Sequence, residues 1–198
     1  GLRVPPGYIL TTDACRRYFS DGALPEGLTT ELLERLADLE RRSGKAFGGG
    51  PTPLLLSVRS GAPVSMPGMM DTILNLGLGR EAAIALAEAT GDTKFVAELL
   101  ARFHAMYSEI VLGAQGQSPA VDEVVASVGR GDDPSEVYEK VWSSCAQALM
   151  QETGEVVPTE PHKQLLGAVE EDALHVVDVV DHPRHQLARG TVGVEAQR

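Results

Sequence analysis

The 198-residue sequence contains few cysteines, few aromatic residues and fewer basic than acidic residues. Cys15 and Cys145 lie far apart, and two cysteines are too few for a disulfide framework or a cysteine metal site. Aromatic residues make up 5% of the chain, so we expect a core of Leu, Val and Ala. The 17 Lys and Arg are outnumbered by 28 Asp and Glu, which gives a net charge of −11. Since nucleic acids are bound by clustered basic side chains, this charge argues against a nucleic-acid partner.

Long apolar runs and a leader-like start are also missing. No window has the 18 or more apolar residues that span a bilayer, and no charged segment followed by an apolar stretch begins the chain. We therefore expect no membrane partner and a reducing, cytoplasmic location. The 43% of apolar and 23% of charged residues are typical of a soluble globular protein. The first residue is Gly1 and not Met, so we expect preceding residues to belong to the protein.

Hydrophobic periodicity predicts short strands followed by helices, which is the α+β class. Strands are expected at 8–10 and 54–58, where short apolar runs follow Pro- or Gly-rich turns. Four leucines between 32 and 39 have the spacing of one helix face. From residue 80, strong helix formers predict helices over 81–90, 93–112, 121–128, 135–152 and 165–180. A last segment at 191–196 alternates in part, which predicts a strand that returns to the first sheet.

Residues 57–78 contain small, flexible residues in a pattern that core packing does not require. A buried strand delivers Arg59 at its end, where the forked guanidinium is suited to a phosphate. Gly61 and Gly68 permit close backbone approach, and the hydroxyls of Ser60 and Ser65 can join successive N–H groups around an anion. The glycine patterns of P-loop and Rossmann proteins are absent. We therefore predict a phosphate-binding loop of another kind.

The end of this stretch and its methionines leave alternatives open. Asp71 and Thr72 are expected to cap a helix that follows the loop. A lone arginine after a strand is usually a surface residue, and a Met-Pro-Gly-Met-Met loop can merely close a core. The place of Met66, Met69 and Met70 inside the loop instead favours contact with a nucleotide or a partner domain.

Residues 57–78 as a whole closely resemble the signature of pyruvate, phosphate dikinases. That signature runs from Ser-Val-Arg-Ser-Gly-Ala through Ser-Met-Pro-Gly-Met-Met-Asp-Thr to Leu-Asn-Leu-Gly-Leu, and each part stands in this chain. The resemblance continues upstream in Val-Pro-Pro-Gly at 4–7, Leu-Pro-Glu-Gly at 24–27 and Gly-Lys-Ala-Phe at 44–47. It is strong over 4–112 and faint afterwards. The related phosphoenolpyruvate synthases look different here, since they lack the Met-Pro-Gly-Met-Met segment.

The resemblance implies an ATP-grasp fold, in which nucleotide is held between two subdomains and a helical insertion interrupts the first. We expect a partial ATP-grasp-like first subdomain with short strands over 1–79, a helical subdomain over 80–189 and a return strand over 190–198. The family converts ATP, pyruvate and phosphate into AMP, phosphoenolpyruvate and diphosphate. Its phosphoryl groups pass through a histidine on a swivelling central domain.

The resemblance also implies the residues that bind ATP. Arg59 matches the family arginine that contacts the nucleotide phosphates, so it is the expected catalytic residue, stabilising charge in phosphoryl transfer. The expected nucleotide-binding residues lie at the strand end and along the loop: Arg59, Ser60, Gly61, Ser65, Met66, Gly68, Met69, Asp71 and Thr72.

Three family features fall outside this chain or are not matched in it. The lysine of a Gly-Gly-Lys-Gly segment would precede Gly1, and the ligands of Mg²⁺ belong to the second ATP-grasp half, beyond Arg198. None of the five histidines has the Thr-Ser-His-Ala context of the phosphate-carrying histidine. We therefore expect the remaining ATP-grasp half and the phosphohistidine domain of a longer protein as partners. Exposed apolar surface can also support a homodimer.

The remaining metal-ligating or nucleophilic side chains are given structural interpretations. His182 and His185 flank Pro-Arg and have no third ligand, so they are interpreted as solvated surface residues and not as a metal site. Cys145 has no obvious base beside it and is predicted to be a buried structural thiol.

Two functional hypotheses follow from these features. The first is a portion of a dikinase-like phosphotransferase that is incomplete and inactive alone. The alternative is a free-standing short relative that binds nucleotide or phosphate as a regulatory module without catalysis. A reading frame that continues beyond Arg198 favours the first hypothesis, and a stop codon there favours the second. A third hypothesis, an inert helical scaffold, leaves the Gly- and Met-rich loop without a purpose.

Overall fold

A computed structural model describes residues 5–10, 14, 17, 20–21, 25–61, 72–114, 119–171 and 176–181. The elements, in chain order, are β1 (Gly7–Leu10), α1 (Leu28–Ser43), β2 (Ala46–Phe47), β3 (Pro53–Leu54), β4 (Leu56–Gly61), β5 (Thr72–Leu76), α2 (Arg80–Thr90), α3 (Thr93–Leu112), α4 (Pro119–Ala126), α5 (Pro134–Thr153), α6 (Pro161–Glu171) and β6 (Val176–Asp181). This mixture of short strands and longer helices confirms the α+β class.

The main sheet has four strands in the order β1-β6-β4-β5, and every neighbouring pair is antiparallel. A separate small sheet joins β2 and β3 in parallel. Strand β6 follows all the other described strands in sequence, yet it lies between β1 and β4. The sheet is therefore assembled from segments that are distant in the chain.

The helix predicted over 165–180 is wrong in its second half. Helix α6 ends at Glu171, and residues 176–181 form strand β6. The Val-Val-Asp-Val-Val sequence of this segment explains the difference, because β-branched residues favour strands and a short apolar run does not distinguish a strand from a helix. The strand predicted at 191–196 lies outside the described residues, and the division at 79/80 and 189/190 stays a prediction.

The helices predicted over 81–90, 93–112, 121–128 and 135–152 are confirmed as α2 to α5. Helix α3 is central, since it contacts α2, α4, α5, α6 and strand β5. Its inward face includes Phe103 and Tyr107, which are almost completely buried. Strand β5 also contacts α6, so the helices support the sheet at its β5 side. No helix in the described part of the chain has both the length and the apolar character needed to cross a bilayer.

The ends of the long helices have side-chain and glycine caps. The Asp92 carboxylate accepts a hydrogen bond from the Phe95 N–H at 3.0 Å at the start of α3. At the start of α5, the Asp133 carboxylate accepts from the N–H groups of Ser135 and Glu136, each at 2.9 Å. These bonds satisfy N–H groups that have no partner within the helix.

Replacing the Asp133 cap is expected to destabilise the protein modestly. The Asp133→Ala variant should lose about 1 kcal/mol of unfolding free energy, since two helix N–H groups lose their acceptor. The Asp133→Asn variant keeps an oxygen acceptor and should lose much less. Urea unfolding at neutral pH measures both values, and equal losses for the two variants would contradict the capping role.

Candidate functional site

Arg59 lies on β4, where consecutive side chains belong to opposite faces of the sheet. Val58 is completely buried, whereas Arg59 is partly exposed. Because successive strand residues point to opposite faces, Arg59 is directed away from the face that buries Val58. A buried strand carries Arg59 as predicted, but Arg59 is not at its end, because β4 continues to Gly61. The strand predicted over 54–58 is divided between β3 and β4 at Leu55.

Thr72 lies directly opposite Arg59 on the neighbouring strand β5. The expectation that Asp71 and Thr72 cap a helix is wrong, because Thr72 is the first residue of a strand. The Thr-Ile-Leu start of this strand carries two β-branched residues, which suits pairing with β4. The predicted phosphate loop therefore connects two antiparallel strands, and a threonine stands opposite the arginine at its base.

The structure describes only part of the predicted binding set. Arg59 and Thr72 are brought together, and the backbones of Ser60 and Gly61 belong to β4. The side chain of Ser60 and the loop residues lie outside the described part of the chain: Ser65, Met66, Gly68, Met69 and Asp71.

Arg59 and Thr72 belong to a row that crosses all four strands of the sheet. The register places Ile9 opposite Asp178, Asp178 opposite Arg59, and Arg59 opposite Thr72. The adjacent row contains Val58 and Ile73, both fully buried, so the two rows lie on opposite faces. Ile9 is 62% exposed, the largest exposure among the large apolar residues described. The Arg59 row therefore lies on the face opposite Val58 and Ile73 and is exposed at its Ile9 end.

Sequence reasoning missed Ile9 and Asp178 as neighbours of Arg59. Asp178 falls within the helix that the sequence predicts over 165–180, and the pairing of β1 with β6 joins distant parts of the chain. The valine-rich segment around Asp178 was the available signal, because it has a strong strand preference. No local pattern specified which strands it pairs with.

Ion pairs on the described helices, such as Arg35–Glu31 and Arg80–Glu139, lie at exposed positions and do not involve Arg59. A guanidinium next to a threonine hydroxyl can bind a phosphate, since both groups donate hydrogen bonds to oxygen. The same guanidinium supplies the positive charge that a phosphate requires. The geometry thus suits an anionic ligand despite the acidic composition of the chain.

The far end of β5 contains buried amide groups. Gln164 of α6 is fully buried, and its Oε1 accepts from the Gly77 N–H at 3.3 Å. Its Nε2 donates to the Pro158 carbonyl at 2.8 Å. Asn75 is 2% exposed and has a positive φ of 64°. Its Oδ1 has no hydrogen-bond partner within the described structure.

Other titratable side chains are buried among the helices. Burial lowers the pKa of His104 to about 4, and its Nδ1 lies 3.3 Å from the Ser108 hydroxyl. Burial raises the pKa of the Cys145 thiol to about 12, so the thiolate that acts as a nucleophile is disfavoured. The prediction that Cys145 is a buried thiol is confirmed.

Within the described ranges, no three His, Cys, Asp or Glu side chains are grouped as a metal site would require. His182 and His185 lie outside those ranges.

Comparisons with known proteins identify similar sequences. No protein-family model matches the chain. Pyruvate, phosphate dikinase of Giardia intestinalis is 41% identical over 170 residues, covering 83% of this chain and 19% of that relative. The protein of the same name from Rhizobium meliloti is 38% identical over 175 residues, covering 85% and 20%. Pyruvate, phosphate dikinase 2 of Zea mays is 38% identical over 195 residues, covering 96% and 22%. The chain thus spans about a fifth of the length of these curated relatives.

Proposed function

Because the chain belongs to the pyruvate, phosphate dikinase family, we propose that it is the N-terminal nucleotide-binding portion of such a phosphotransferase. The single observation that carries this proposal is the place of Arg59. It is partly exposed and stands opposite Thr72, at the base of the loop within residues 57–78. In this proposal the described sheet is part of an ATP-grasp-like subdomain.

Arg59 is the residue proposed to act on the nucleotide phosphates. Its guanidinium offers two parallel N–H donors to phosphate oxygens, which gives both charge and orientation. Phosphoryl transfer is catalysed mainly by positioning and by stabilising the charge spread over the phosphoryl oxygens. Thr72 lies close enough in register to add a hydroxyl donor to the same phosphate group.

The loop between β4 and β5 is proposed to cover the phosphates. Ser60 and Gly61 begin this cover at the end of β4, where backbone N–H groups can donate to phosphate oxygens. The remaining proposed contacts come from Ser65, Met66, Gly68, Met69 and Asp71. Glycine at 68 allows the backbone to approach the ligand closely.

Groups outside this chain are proposed to complete the reaction. In the longer protein, ATP, pyruvate and phosphate would yield AMP, phosphoenolpyruvate and diphosphate. Inorganic phosphate would take the γ-phosphoryl group, and a histidine of another domain would carry the β-phosphoryl group to pyruvate. Mg²⁺ would neutralise charge on the nucleotide and be held by ligands of the second ATP-grasp half. We therefore expect the chain alone to be catalytically inactive.

The test is calorimetric titration of the full chain with ATP and Mg²⁺. The Arg59→Ala variant should bind about 10- to 100-fold more weakly, since charge-assisted hydrogen bonds contribute about 1.5–3 kcal/mol. Arg59→Lys should fall between the two, because lysine keeps the charge but lacks the fork. Arg35→Ala is the matched control, since Arg35 is exposed on α1 and pairs with Glu31.

Two results would count against the proposal. Equal affinities for Arg59→Ala and Arg35→Ala would remove Arg59 from the phosphate site. Absence of binding by every folded variant, the unaltered chain included, would show that the chain is not a nucleotide-binding module by itself. The same absence would also exclude a free-standing regulatory module that binds ATP.

A further inference from the structure

We propose that Gln164 and Asn75 are positioning residues for Arg59, because they fix a bulge in β5 that sets Thr72 opposite the arginine. This inference rests on the proposed nucleotide site. Neither residue belongs to the predicted binding set. Thr72 begins β5, whereas Asn75 lies near the other end of this strand, and Gln164 of α6 contacts the chain just after it.

The register of the β4–β5 pair shows where the bulge lies and what it does. Leu56 is opposite Leu76, but Val58 is opposite Ile73, so β5 holds one more residue than β4 between these pairs. A regular hairpin with Leu56 opposite Leu76 would place Ile73 opposite Arg59. Because one residue of slip exchanges the two faces of a strand, Ile73 would leave the core for the face that carries Arg59. The extra residue in β5 prevents this.

Asn75 provides the backbone conformation at the extra residue. Its φ of 64° is the one positive value among the described non-glycine residues. This conformation is unfavourable for most side chains by about 1–2 kcal/mol, and asparagine tolerates it better than most. The Asn75 carbonyl accepts a hydrogen bond from the Leu78 N–H at 3.2 Å, which closes a tight turn after the strand.

Gln164 attaches this turn to helix α6. Its Oε1 binds the Gly77 N–H, and its Nε2 binds the Pro158 carbonyl just before the helix. Because one end of the amide accepts and the other donates, the side chain has a single favourable orientation. A hydrogen-bonded polar group in a buried position specifies geometry even where its net contribution to stability is small. The end of β5 is thereby attached to helix α6. With that end fixed, the extra residue at the bulge sets Thr72, and not Ile73, opposite Arg59.

The test combines nucleotide affinity with a direct measurement of strand register. The variants are Gln164→Leu, Arg59→Ala and the double variant, each titrated with ATP and Mg²⁺. Gln164→Leu should weaken binding about 3- to 10-fold in the unaltered chain and have no further effect with Arg59→Ala. This non-additivity is expected when one residue acts through another. Asp133→Ala, a destabilising change on another helix, is the control and should leave affinity unchanged.

The register is measured by nuclear Overhauser contacts between the Arg59 and Thr72 backbones. These contacts should be lost or weakened in Gln164→Leu and retained in Asp133→Ala. Retained contacts, or an equal loss of affinity with and without Arg59, would overturn the positioning role. If the unaltered chain binds no nucleotide, the proposed function fails, and the backbone contacts alone decide whether Gln164 holds the register. Gln164→Met, closer in shape to glutamine, replaces the leucine variant should that one fail to fold.

Discussion

The Gly77→Ala variant is expected to lose about 2–5 kcal/mol of unfolding free energy. Gly77 has φ of 92°, and a residue with a Cβ adopts such a conformation at about 1–2 kcal/mol. The added Cβ would also lie 2.6 Å from the Phe47 ring and 3.1 Å from the Leu54 carbonyl oxygen. Forcing an extra carbon into a packed core costs about 1–3 kcal/mol more. Chemical denaturation monitored by circular dichroism measures the loss.

The Gly91→Ala variant separates the two causes. Gly91 ends α2 with φ of 66°, and nothing lies within 4 Å of the Cβ that alanine would add. This control should therefore lose only the cost of the positive φ for a residue with a Cβ, about 1–2 kcal/mol of unfolding free energy. Equal losses at the two positions would mean that the Phe47 ring moves aside without cost, and that the packing around the end of β5 is loose.

Acidification is expected to destabilise the protein through His104. Its pKa is about 4 in the folded protein and about 6.5 in an unfolded chain, so the unfolded state binds more protons between these values. The contribution of His104 is fully present above pH 6.5 and is lost as the pH falls toward 4. The difference in pKa corresponds to about 3 kcal/mol. Between pH 7 and 4.5, the unfolding free energy of the unaltered chain should therefore fall more steeply than that of His104→Leu, which has no imidazole to protonate.

The Ser108→Ala variant is the control for the histidine. Its change removes the hydroxyl 3.3 Å from His104 Nδ1 but leaves the buried imidazole, which packs edge-on against Trp142. The steep dependence on pH should therefore persist in this variant and disappear only in His104→Leu. Parallel curves for His104→Leu and the unaltered chain would show that His104 does not carry the effect.

Local patterns predicted the helices and the strand of Arg59 because their physical causes are local. The helices after residue 80 are rich in helix formers and end at glycines such as Gly91 and Gly154, which adopt the left-handed conformation that terminates a helix. Arg59 was found because a buried strand leads directly to it. These features depend on residues within a few positions of one another.

Local sequence patterns do not predict which residues lie next to Arg59 in the sheet. Thr72 was assigned as a helix cap because its sequence context permits a cap, and only pairing with β4 makes it a strand residue. Asp178 and Ile9 enter the row through β6, whose two partners are far away in sequence. The bulge at Asn75 lies two residues before Gly77, whose N–H binds Gln164 of α6, and no periodicity encodes this long-range contact. Long-range pairing, and not propensity, decides these positions.

The place of β6 also has a consequence for the order in which the chain folds. The sheet pairs Gly7 with Val180, so its middle position stays vacant until residues near 180 reach it. Helices α2 to α5 contact one another over shorter stretches of sequence than β1 and β6 do, and contacts form sooner when less chain separates them. During synthesis, the edge of β4 that pairs with β6 would therefore stay unpaired until β6 is made. An unpaired strand edge is prone to aggregation. Folding speed should thus depend more on the valines of β6 than on the helices.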